Sequence, residues 1–148
     1  MAPQTRRLAG ILLILFPTVA LGGASLLTMI VGEIPGYLDN PVRQDLWRAG
    51  HAHAGIMLII SLLVLRYVDD TNLRGGWLWL ARIGVPIAAI LMPAGFFGSI
   101  LFPDQTEPNA LIGLVPLGGL FLVAGLLVTG IGLVRADGRG RVTDGSAA

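Results

Sequence analysis

Cysteine is absent from this sequence, and charged residues are scarce, at 13% of its 148 residues. The absence of cysteine excludes disulfides, thiolate metal sites and cysteine nucleophiles. A soluble domain carries roughly a quarter charged residues, whereas 54% of the residues here are hydrophobic. The net charge of +1 gives no indication of a nucleic-acid partner. The composition therefore predicts an integral membrane protein whose main partner is the lipid bilayer.

Four apolar runs predict an all-α fold, a four-helix transmembrane bundle. We expect the spans at about 8–31, 47–67, 77–102 and 110–134. The first run would extend roughly 36 Å as a helix, more than the hydrocarbon core of about 30 Å. A cleaved signal peptide is the alternative for this run, although such apolar cores span only about 7–15 residues. A single membrane domain, 1–135, then precedes a tail at 136–148 that is rich in glycine and charge and predicted to be disordered.

Arginine is unevenly divided between the two sides of the predicted bundle. Only Arg43 and Arg48 fall on one side. Because positive residues favour the cytoplasmic side, the other side is predicted to face the cytoplasm together with both termini. We expect a multi-pass protein of a bacterial-type inner membrane. The arginines of the predicted cytoplasmic side are Arg6, Arg7, Arg66, Arg74, Arg82, Arg135, Arg139 and Arg141.

Each predicted helix carries a stripe of small or polar residues at helical spacing. Such stripes let membrane helices approach closely, and their hydroxyls can bond across an interface. We interpret them as the packing faces of the bundle, with a lined cavity or pathway as the alternative. The stripes are Thr18, Gly22, Ser25 and Met29; Gly50, His53, Ala54, Met57 and Ser61; Gly84, Ala88, Met92, Gly95 and Ser99; and Gly118, Gly125, Thr129 and Gly132.

Both histidines lie near the start of the second predicted span, at His51 and His53. Two residues apart on a regular helix, they project about 200° from each other. One metal ion therefore cannot readily take both unless the helix is distorted. We expect His53 to face the bundle interior with Met57 on the same stripe and Met92 at a similar depth on the third helix. We expect His51 to face the other side.

Polar groups at membrane depth usually serve a function. Neutral imidazole ligates haem iron or copper, and thioether favours Cu(I). The candidate cofactor-binding residues are His53, His51, Met57, Met92 and Arg48, with His53 and His51 as candidate metal ligands for haem or copper. The methionines can instead be flexible core fillers, and a histidine can instead handle protons or substrate. Arg48 can bind a haem propionate or a carboxylate such as Glu33, Asp104 or Glu107, or can simply anchor the helix.

The segment Arg48-Ala-Gly-His51-Ala-His53-Ala-Gly55, followed by an apolar run, resembles small uncharacterised bacterial four-helix membrane proteins. Over about a dozen residues it also resembles the histidine-bearing helices of haem–copper oxidase and nitric-oxide-reductase relatives. That resemblance implies a haem or copper centre. Those proteins carry further histidines on other helices, which this chain lacks, so the implied site would be shared across a dimer or with another subunit.

No phosphate-binding loop, nucleophile elbow or metalloprotease motif is present in the sequence. We therefore expect no catalytic activity of the chain's own. Three functions stay open: an accessory or structural subunit of a membrane complex, a haem- or copper-binding protein in electron transfer or metal handling, and a small oligomeric transporter or proton pathway. The expected partners are lipid, further copies of the chain, or a larger membrane complex.

Overall fold

The computed structural model describes the backbone of residues 1–143 and the side chains of residues 1–136. Within this part of the chain the fold is all-α, with no strand. The described backbone contains four α-helices: α1 (Pro3–Val31), α2 (Pro41–Tyr67), α3 (Gly75–Gly98) and α4 (Leu114–Thr143). Short 3-10 turns cover Val68–Asp70 and Ala110–Gly113. Each helix is long and apolar enough to cross a membrane, which fits a small multi-pass membrane protein.

Helix α2 begins six residues earlier than the hydropathy pattern predicts. The Asn40 side chain accepts a hydrogen bond from the backbone N–H of Arg43 at 3.0 Å, and Pro41 occupies the first helical position. An asparagine cap followed by proline is a strong helix start. The asparagine side chain satisfies one free N–H of the first turn, and the proline has no N–H that needs a partner. The loop between α1 and α2 is therefore shorter than the sequence indicates.

Helix α3 ends four residues earlier than predicted, at Gly98. Asn109 stops it: its Nδ2 donates to the Gly98 carbonyl at 3.1 Å, and its backbone N–H donates to the Ser99 carbonyl at 2.8 Å. These two bonds satisfy carbonyls at the end of the helix, and Pro103 has no N–H that could donate to the Ser99 carbonyl in a continuing helix. The chain then turns through an exposed loop into α4.

Helix α3 packs against both α2 and α4, whereas α1 packs mainly against α2. The small-residue stripes of α2, α3 and α4 form these contacts, as predicted. A Cβ built on Gly84 of α3 would lie 3.0 Å from the Cα of Gly125 on α4. The two backbones therefore touch, which only glycine permits at this separation.

The stripe predicted for α1 is wrong in part. Thr18 and Ser25 are exposed, and their hydroxyls donate to the carbonyls of Leu15 and Leu21 in the same helix. A threonine or serine satisfied by its own helix needs no partner helix. The buried side chains of α1 are instead Thr5, Leu12 and Leu26.

One end of the bundle gathers the start of α1, the link between α2 and α3, and the C-terminal half of α4. Gln4 contacts Arg82, and Gly132 lies against Leu73 and Thr71. The loops at 32–40 and 99–109 lie at the other end. The backbone of α4 continues as a helix to Thr143, into the segment 136–148 that is predicted as a tail. Residues 144–148 lie outside the described residues, and the disorder of the tail stays a prediction.

Candidate functional site

His53 lies half-buried between α2 and α3, on the side that the sequence predicts. Its Nδ1 lies 2.7 Å from the carbonyl oxygen of Ala49, one turn earlier in α2. A carbonyl only accepts hydrogen bonds, so Nδ1 carries the proton and donates it. In the neutral ring the lone pair then sits on Nε2. The imidazole packs on Phe96 of α3, with ring centroids 4.9 Å apart and planes tilted by 40°.

Met57 and Met92 are brought together in one buried cluster with Ala88. They are 6% and 8% exposed, so both thioethers are shielded from the surroundings of the bundle. Phe96 packs against this cluster and also against the His53 ring. The predicted neighbourhood of His53, Met57 and Met92 therefore exists as a packed region between α2 and α3. The same contacts are what flexible methionine core fillers would make.

His51 lies at a different interface, between α2 and α1. A Cβ built on Gly23 would lie 3.0 Å from both Cε1 and Nε2 of the His51 ring, and one on Gly22 would lie 3.6 Å from Nδ1. The two glycines therefore form a notch that accepts the imidazole. The two histidines are not brought together, as their spacing predicts. Among the described side chains, no group of three or more His, Cys, Asp or Glu residues is arranged to hold a metal ion.

Arg48 pairs within its own helix. Its Nη2 donates to Asp45 Oδ1 at 2.7 Å, and both side chains are more than half exposed. The carboxylate partner is therefore Asp45, one turn earlier, rather than Glu33, Asp104 or Glu107. An exposed pair of this kind contributes little to stability. The position of Arg48 in the N-terminal part of α2 fits a residue that anchors the helix.

A polar cluster that the sequence did not reveal lies at the end of the bundle where α1 begins; we call it the Asp69 cluster. Arg82 of α3 is 6% exposed. Its Nη2 donates to Asp69 Oδ1 at 2.9 Å, and its Nη1 donates to Gln4 Oε1 at 3.1 Å. Asp69 also accepts from the Thr5 hydroxyl at 2.9 Å and from the backbone N–H of Ala2. Three separate segments thus share one buried ion pair.

A second polar cluster, which we call the Arg43 cluster, closes the opposite end. Arg43 is 7% exposed and lies 4.3 Å above the Trp47 ring. Its Nη1 donates to the Gly36 carbonyl at 3.0 Å and its Nη2 to the Leu101 carbonyl at 2.9 Å. Asn40 adds a bond from Nδ2 to the Gln105 carbonyl at 2.6 Å. One guanidinium therefore ties the loops at 32–40 and 99–109 to the start of α2.

The sequence places Arg82 and Arg43 only on opposite sides of the predicted bundle, and neither cluster was predicted. The available signals were local. Arg82 stands five residues inside a span that follows Asp69 and Asp70, and a charge at that depth needs a partner. Asn40-Pro41 marks a helix start, which puts Arg43 in the first turn of α2. Neither signal identifies the third segment in each cluster, because that contact depends on tertiary packing.

The chain was compared with known protein families, curated proteins and solved structures. No family model matches it, no curated protein matches it, and no solved structure matches it. The fold and the polar clusters therefore carry the functional argument.

Proposed function

We propose that this protein is a structural or accessory subunit of a membrane complex and has no catalytic chemistry of its own. The proposal rests on the hydrogen-bond partners of the two buried arginines. Arg82 and Arg43 each bind groups from other segments of the same chain. Buried charges in transporters usually serve a transported ion or substrate. Here they lock the two ends of the bundle instead.

The outward faces of α1 and α4 support this proposal. Both helices lie at the flanks of the bundle and expose large apolar side chains: Ile14 is 78% exposed on α1, and Leu120 is 69% exposed on α4. A bundle held rigid at both ends can present such faces unchanged to a neighbouring membrane protein. The orientation that we propose, from the arginine distribution, has both termini in the cytoplasm of a bacterial-type cell.

Photo-crosslinking in native membranes tests the accessory role. A photoreactive amino acid at Leu120 or Ile14 should give one discrete crosslinked species with a single partner protein. The same amino acid at Val85, which is fully buried, should give none. Removing the chain from the cell should then lower the amount of that partner's assembled complex, and the wild-type chain should restore it. Lipid adducts alone at both exposed positions would contradict the proposal.

A second candidate function, haem or copper binding through His53, is favoured by one specific observation. The Nδ1–H of His53 donates to the Ala49 carbonyl. A histidine that ligates a metal through one ring nitrogen commonly donates a hydrogen bond from the other, and here this leaves Nε2 as the ligand. Met57 and Met92 would supply thioethers nearby. Further ligands would have to come from a second chain.

The His53 variant distinguishes this second candidate from the accessory role. If a cofactor binds, His53→Leu should abolish the absorption band or the bound metal of the purified protein. His51→Leu should retain it, because His51 lies against α1. Absorption spectra and metal analysis of the wild-type protein and of both variants give the answer. Wild-type protein without haem or copper would remove this candidate.

A further inference from the structure

A lateral groove of about 290 Å³ lies where α1, α2 and α3 meet, and we call it the α1 groove. Its lining is almost entirely apolar. The single lining hydroxyl, that of Thr18, already donates to the Leu15 carbonyl within α1. The groove therefore offers hydrocarbon surface and no polar recognition along its length. The residues that matter below are Leu8, Ile11 and Val19 of α1, Leu58 of α2, and Pro86 and Ile90 of α3.

The dimensions of the α1 groove select its occupant. From Leu8 to Val19 the helix rises about 16 Å, close to half of a hydrocarbon core of about 30 Å. The length of the groove along α1 is thus about the thickness of one leaflet. A whole helix, about 10 Å wide, would fill more than about 1,000 Å³ over the same length. A helix from a second copy of the chain could therefore insert only some of its side chains, whereas a single extended hydrocarbon chain can lie along the groove.

Positive charge marks the end of the groove nearest the start of α1. Arg7 lies one helical turn before Ile11 on the same face of α1, and its side chain is exposed. Arginine binds phosphate oxygens through several N–H donors. Each basic residue near a membrane surface also attracts anionic lipids. A chain seated in the groove would bring its headgroup to Arg7.

We propose that the α1 groove binds one acyl chain of an anionic phospholipid, and that Arg7 holds the phosphate of its headgroup. The lipid belongs to the leaflet at the end of the bundle where α1 begins. It fills the groove between α1 and α3, beside the apolar cluster that contains Leu12 of α1 and Ala81 of α3. The site does not depend on the accessory role, and a chain with no protein partner would still bind the lipid.

Photoreactive lipids test this site on the purified full-length chain in phosphatidylcholine vesicles. Two probes carry the same diazirine-bearing tail, one on phosphatidylglycerol and one on phosphatidylcholine. Mass spectrometry counts adducts on groove residues and, as an internal reference, on the outer face of α4. The ratio of groove to reference adducts should be higher for the phosphatidylglycerol probe, by about fivefold.

The variants decide between specific binding and general lipid contact. Arg7→Gln should lower the ratio for phosphatidylglycerol to that for phosphatidylcholine, whereas Arg66→Gln should leave it unchanged. Detergent melting temperatures check that each variant folds. If Arg7→Gln melts lower, high salt with the wild-type chain replaces it and should lower the ratio in the same way. Equal ratios for the two probes on the wild-type chain, or a preference that survives both treatments, would overturn the proposal.

Discussion

Replacing Asp69 with alanine should destabilise the bundle more than any other single change of charge. Arg82 is 7% exposed and Asp69 16% exposed at the side chain. The variant would leave the Arg82 guanidinium buried without its counter-charge and would remove the acceptor of Thr5 and Ala2. Breaking a buried pair from one side costs about 3–5 kcal/mol. Denaturation of the purified protein in mixed detergent micelles measures this loss.

Two further variants separate the ion pair from a general effect of charge. Asp70 is adjacent in the sequence but forms only an exposed pair with Arg66 at 3.7 Å. Asp70→Ala should therefore leave stability nearly unchanged. The double variant Asp69→Leu/Arg82→Met should be more stable than Asp69→Leu alone, since no charge stays buried. Equal losses for Asp69→Ala and Asp70→Ala would show that the Asp69 cluster does not hold the bundle.

Replacing Gly125 with leucine should force α3 and α4 apart. Even a Cβ at this position would lie 3.2 Å from the backbone nitrogen of Val85 and 3.3 Å from the Cα of Gly84. Backbone atoms cannot move aside as a flexible side chain can. Overpacking of a close-packed interface costs about 1–3 kcal/mol for small additions and more for larger ones. The detergent melting temperature should fall accordingly.

Gly130 supplies a matched control on the same helix. A Cβ there meets nothing within 4 Å. Gly130→Leu should therefore leave the melting temperature unchanged or slightly raised, because leucine also has the higher helix propensity. Leu126→Ala, at a position 39% exposed, should have a smaller effect than Gly125→Leu. If Gly125→Leu and Gly130→Leu have the same melting temperature, the contact between Gly84 and Gly125 is not what joins α3 to α4.

The four long apolar helices could be predicted from the sequence because hydropathy and helix length are local properties. The stripes of α2, α3 and α4 could also be predicted, since close approach requires small residues wherever it occurs. For α1 the same rule predicts a contact face that is wrong in part. Thr18 and Ser25 look the same in a sequence whether their hydroxyls bond across an interface or within their own helix.

The buried charges could not be predicted because their partners are distant in the sequence. Gln4 is 78 residues from Arg82, and Leu101 is 58 residues from Arg43. An arginine near a helix end is equally compatible with snorkelling and with a buried pair until the neighbouring helix is placed. The surroundings of the two histidines could be predicted only in part. Their divergence followed from helical geometry, but the notch at Gly22 and Gly23 depends on how α1 crosses α2.

Cysteine accessibility in intact cells tests most directly the claim that these helices span a membrane with both termini inside. The chain has no native cysteine, so each single-cysteine variant carries one thiol. We predict that a membrane-impermeant maleimide labels Thr106→Cys in intact cells, labels Asn72→Cys only after permeabilisation, and labels Ala88→Cys only after denaturation. Labelling of Asn72→Cys but not Thr106→Cys in intact cells would invert the proposed orientation. Labelling of both would contradict the crossing of α3.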